Sequence, residues 1–74
     1  MNNEKNQRIR EKLEFFLVEK VTIHIIKTDR RFMNGTLIEK KSDNIFIFKD
    51  NKFGLVHLFV SDVYDVSEYQ ESGR

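Results

Sequence analysis

Arg31-Phe32-Met33-Asn34-Gly35-Thr36-Leu37-Ile38-Glu39, followed by Phe46-Ile47-Phe48-Lys49-Asp50, is the part of this chain whose reading decides the fold. A single glycine inside a run that otherwise alternates like a strand marks a sharp bend or a close backbone approach, so Gly35 is read as structural. Lys41-Ser42-Asp43-Asn44 then forms a short polar loop into a second apolar strand. Working outward, Val21, Ile23 and Ile25 alternate with Thr22, His24 and Ile26 as a first strand, and Thr28-Asp29-Arg30 turns into Arg31–Lys40. The unbroken run Ile45–Lys49 suits a strand covered on both faces. Gly54 opens Leu55–Val60, Ser61-Asp62 breaks the chain, and Val63–Val66 is a last short strand. Residues 3–18 carry a different period. Ile9, Leu13, Phe16 and Leu17 fall at helical spacing, and Asn2 or Asn3 ahead of Glu4 suits an N-cap. The polar tail 67–74 is expected to fray.

One helix and then five short strands, without a single proline, predict a mostly β protein. The expected form is an N-terminal α-helix followed by a strongly bent five-stranded antiparallel small β-barrel, a single domain over residues 1–74. The helix has one apolar stripe and should cap an open end of the barrel. At 74 residues the chain sits near the lower limit for a self-sufficient core. It has no cysteine, so disulfides and thiolate metal sites are excluded, which leaves oligomerisation as the common remaining staple. His24 and His57 lack the spacing of a zinc pair. There is no apolar run long enough for a membrane span, and the charged start lacks a signal-peptide pattern, so a cytoplasmic soluble protein is expected. Charge is balanced overall but uneven along the chain. Lys27, Arg30, Arg31, Lys40, Lys41, Lys49 and Lys52 outweigh Asp29, Glu39, Asp43 and Asp50 in the middle, while residues 53–74 are net acidic. A basic middle suits a phosphate backbone; it also suits solvated loop and edge-strand charge.

From Leu13 to Val66 the order of these pieces resembles an Sm-like (LSm) domain. Gly35-Thr36-Leu37 matches the Gly-x-Leu of the first motif of that superfamily, and Phe46, Phe48 and Asp50 match its closing strand. Asp29 stands where the family usually has Gly. In the loop, Lys41 falls on the family's Asp and Ile45 on its Asn, with Asn44 one residue away. Leu58-Phe59-Val60 aligns with the second motif, Ile-Arg-Gly, so that Phe59 replaces the Arg and Val60 the Gly. The segment is also similar to the bacterial branch, the host-factor RNA chaperones, with His57 at the Lys of their Lys-His pair and Leu58 at the His. The resemblance implies a homo-oligomeric ring, a hexamer or heptamer, that binds single-stranded RNA at or near its pore. Lys40, Lys41, Asp43, Asn44, His57 and Phe59 would then form the RNA site. The alternative is an Sm-fold structural or protein-interaction subunit that has lost RNA binding.

Physically, such a pore works by stacking a base between side chains, with an amide reading its edge and a cation nearby. Phe59 keeps a stacking surface and loses the charge; it also suits a core position or a subunit contact. His24 reads as a half-exposed strand residue. Tyr64 and Tyr69 suit packing across a subunit boundary. Asp62 and Asp65 make no acid–base pair and no nucleophile has a recognisable partner, so no enzyme, cofactor or metal is expected.

Overall fold

The computed structural model describes residues 3–69, so the Asn2 alternative for the N-cap and the tail beyond Tyr69 lie outside the described residues. Helix α1 spans Asn3–Glu19. It buries Ile9 and Leu13 and rests Phe16 and Leu17 against the same core, so the helical spacing of those residues is the stripe that faces the sheet. The helix stops at Lys20, whose φ of 58° is left-handed and whose amide donates to Phe16 O at 2.9 Å. A glycine normally takes that position, because a Cβ is crowded there.

Five strands follow: β1 Ile23–Lys27, β2 Phe32–Ser42, β3 Ile45–Asp50, β4 Gly54–Phe59 and β5 Val63–Glu68, with a short 3₁₀ turn at Val60–Asp62 before the last. All pairings are antiparallel, in the order β4-β3-β2-β1-β5. Helix first, then a bent antiparallel sheet in this order, is the Sm-like arrangement expected from the sequence. It differs in one respect: the sheet is open. Among the described residues β4 and β5 are not hydrogen-bonded to each other, so each keeps an unpaired outer edge. The reason lies in the 3₁₀ turn. The Val60 amide donates to Asn44 O and the Thr28 amide donates to Asp62 O, both at 2.8 Å, and the chain is thereby carried across the end of the sheet to pair with β1 rather than β4.

Curvature comes from β2. Its pairing with β3 slips between Leu37 and Glu39 and again between Lys40 and Ser42, so Ile38 and Lys41 are the extra residues of two bulges. Gly35 supplies a close approach. A Cβ there would lie 2.0 Å from Lys49 O and 2.9 Å from Lys49 C, both backbone atoms of β3. Phe46 and Phe48 are fully buried with Ile23, Ile25, Leu58 and Val63, and α1 closes this core by packing on β2, β5 and the 3₁₀ turn. The β3 expectation needs correcting: Ile45 and Ile47 are half-buried, so β3 alternates and is covered fully on one face only. Nor does β5 fray at Ser67. It runs to Glu68 because Ser67 pairs with His24 and Glu68 with Ile23, and the Tyr69 amide then donates to Thr22 O. Among the described residues no helix is long and apolar enough to cross a membrane.

Candidate functional site

The β2–β3 loop and the start of the β4–β5 turn meet. Asn44 O accepts the Val60 amide, and Phe59 stands opposite Ile45 in the β3–β4 register. Phe59 is 43% exposed, which removes it from the core and leaves its ring at the surface beside the loop. His57 is exposed two residues back on the same strand, opposite Ile47. Leu55, His57 and Phe59 therefore share the outer face of edge strand β4.

Three polar members of the expected site, Lys40, Asp43 and Asn44, are already engaged. Arg10 on α1 donates from Nε to Asp43 O at 2.7 Å and from Nη2 to Asn44 Oδ1 at 3.3 Å. The Asn44 side-chain oxygen, the acceptor that would read a base, thus serves to seat the helix. Lys40 reaches the same helix, ion-paired to Glu14 at 2.5 Å and to Asp43 at 3.3 Å. The hydrogen bond that Lys40 donates to Glu14, then the one it donates to Asp43, raises the Lys40 pKa above the usual lysine value. Lys41 behaves differently, because it is the bulge residue: it is exposed and, among the described residues, forms no ion pair. So the structure brings Asp43, Asn44 and Phe59 together, adds Lys41 beside them, and commits Lys40 to the helix. Arg10 is the residue the sequence reading missed. Its partners lie 33 and 34 positions away, beyond any local pattern.

At the other end of β2 a different surface forms. The β1–β2 connection is a tight turn: the Arg30 amide donates to Lys27 O, the Lys27 amide donates to Arg31 O, and Arg30 has φ 72°. This is the type I turn plus left-handed residue that usually demands glycine, here filled by arginine. Asp50, 6% exposed, accepts the Lys52 and Phe53 amides at 2.7 and 2.8 Å and so builds the β3–β4 turn. The Asn51 amide donates to Asn34 O and ties that turn to β2. His24, half-buried, donates from Nδ1 to Asn34 Oδ1 at 2.6 Å, and its ring lies 5.4 Å from Phe32. Neither histidine has the company of a metal site; among the described residues no cluster of His, Asp and Glu fits one.

The fold and these loops define a small, open, strongly bent β-sheet capped by a helix, with two dissimilar loop ends. No family model, curated protein or solved structure matches the chain.

Proposed function

We propose that this chain is a divergent Sm-like protein that assembles into a closed ring and binds single-stranded RNA. The observation that carries this reading is the sheet left open between β4 and β5. Two unpaired edges on one small sheet, with Leu55 and Phe59 exposed along β4 and Phe53 exposed in the turn before it, suit pairing between successive copies around a ring. Six or more such copies would bring the Asn44 and Phe59 loops together around a pore, with the exposed Lys41 supplying phosphate attraction. Light scattering at micromolar concentration should give a mass several times the 8.9 kDa protomer; a clean monomer would end both the ring and the pore. Titration of labelled oligo-U and oligo-A at low salt then tests the pore, with Lys41→Glu and Phe59→Ala each weakening binding. The grip of Arg10 on Asn44 supports the second reading, a structural or protein-interaction subunit. An intact ring that binds neither oligomer would establish it.

A further inference from the structure

Three clefts run side by side over the surface at the Phe32 end of β2. The first, of about 370 Å³, lies between Phe32 and Phe53 and is bordered by Asn51 and Lys52. The second, also about 370 Å³, lies between Phe32 and Tyr64 and is lined by Ile26, Lys27 and Arg30. The third, about 380 Å³, lies between Tyr64 and α1, where Lys5, Arg8 and Lys12 line it. Phe32 is a wall of the first two and Tyr64 a wall of the last two. The clefts are therefore neighbours, each separated from the next by one of these rings, and cations line the spaces between the rings.

These rings are presented rather than packed: Phe53 is 79% exposed, Phe32 66% and Tyr64 59%. Two of them are backed on one side. Phe32 lies against the His24 ring, and Lys5 Nζ sits 4.4 Å from the centre of the Tyr64 ring. A backed ring has less freedom to lose when a flat partner stacks on it. The charge is also disposed toward an anion. Among the described residues Lys27, Arg30 and Lys52 form no ion pair. The carboxylates beside them are held elsewhere: Asp29 by the Arg31 amide and guanidinium, Asp50 by its turn amides, and Asp65 by Lys12, which leaves Lys5 and Arg8 as the cations of the third cleft that form no ion pair among the described residues. Arg30 itself occupies a left-handed position that glycine would fill with less strain, so the turn gives up stability to keep a guanidinium at the cleft.

From this juxtaposition we infer that the three clefts form a track for single-stranded nucleic acid, with bases stacked on Phe53, Phe32 and Tyr64 and phosphates drawn to the cations between them. Stacking on aromatics interleaved with basic side chains is what holds unpaired strands without regard to sequence. A duplex keeps its base faces covered and is poorly suited to the track. The track goes beyond the pore reading, since it uses neither Asn44 nor Phe59 and does not need a pore.

The test is fluorescence anisotropy of the full chain with labelled uridine and adenosine dodecamers, their DNA counterparts, and a duplex of the same length, at two salt concentrations. The track predicts single strands bound more tightly than duplex. The comparison of the RNA and DNA arms identifies which polynucleotide is preferred. Phe32→Ala and Tyr64→Ala should each weaken binding about tenfold, the scale of one lost base stack. Lys27→Gln should reduce the salt slope by about 1. Arg30→Gly should weaken binding while raising the melting temperature, a combination that a purely structural role would not produce. Phe59→Ala and Lys41→Glu take away the contribution of the pore, and in that background Phe32→Ala should still weaken the remaining single-strand binding about tenfold. The inference is overturned if the Phe32→Ala/Tyr64→Ala double variant, folded by circular dichroism, binds like the wild type. It is equally overturned if that variant changes the oligomer mass, which would make the rings a subunit contact, or if the wild type binds no single strand at low salt.

Discussion

The two ends of strand β2 handle charge in opposite ways. At the Ser42 end Lys40, Asp43 and Asn44 are engaged with helix α1 or with one another, and Lys41 and His57 are left exposed: Arg10 holds the loop, and Lys40 is held by Glu14 and Asp43. At the Phe32 end the carboxylates are the groups consumed, while Lys27, Arg30 and Lys52 stand beside exposed rings without ion-pair partners among the described residues. The same residue types thus do structural work at one end and are left available at the other. What separates the ends is helix α1, whose Arg10 and Glu14 reach the β2–β3 loop and whose Lys5, Arg8 and Lys12 instead border the Tyr64 cleft. Resemblance to a family points to the first end, and charge accounting points to the second.

Gly35 joins the two ends, and changing it should do the most damage. Because a Cβ would meet backbone rather than a flexible side chain, Gly35→Ala should cost about 3 kcal/mol. A thermal melt would show this as a drop of roughly 12–24 °C. An unchanged midpoint would mean that β2 and β3 are not in the register described. Next in size is Arg10→Ala. Its bonds are exposed and water replaces part of them, so the loss should be about 1 kcal/mol. The comparison is sharpened by where that loss falls: amide exchange should quicken at Asp43 and Asn44 and stay unchanged at the Lys27–Arg31 turn. Uniform quickening would sink the idea that Arg10 serves one end alone. Lys20→Gly should stabilise by about 0.5–1 kcal/mol by relieving the left-handed helix end, and it should leave nucleic-acid affinity untouched. That variant is the control for Arg30→Gly, where the same relief should come with weaker binding.

The smallest effect is a pH dependence. The Lys40 pKa is raised from its ordinary value of 10.5, first by Glu14 and then by Asp43, so the ammonium is favoured in the folded state. Its contribution is fully present below the ordinary lysine range and fades as pH rises through the raised value. Melting Lys40→Met beside the wild type should show a small deficit at neutral pH that closes in alkali. A deficit that persists there would show that Lys40 acts through its aliphatic stem.

Much of the fold was legible because it rests on periodicity. Ile9, Leu13 and Phe16 announce the helix, Ile23 and Ile25 the first strand, and Gly35 the crowded crossing. The bulges at Ile38 and Lys41 were not legible, since a two-residue period carries no mark of one extra residue until its partner strand is known. That omission mattered, because the bulges put Lys40 within reach of the helix and leave Lys41 outside. The open sheet was likewise hidden, as it depends on two amide bonds made by the ends of a three-residue turn. The expected site rests on the family alignment of Phe59 and Asn44, and the Val60 amide bond to Asn44 O brings their backbones together. Phe32, Phe53, Tyr64 and Lys5 come from distant parts of the chain, and only the folded sheet places them on one surface.

The pairing order also governs how the chain reaches this structure. β1, β2 and β3 each pair with the next strand in sequence, so hairpins can form from local encounters. β5 is the exception, because it must return to β1 across all the intervening strands, as in the pairing of Glu68 with Ile23. That closure carries the largest entropic cost in the sheet and gains nothing until β1 and β2 are already in place. β5 is therefore expected to dock last, and Tyr64, which lies on it, takes its place near Phe32 only once that pairing has formed.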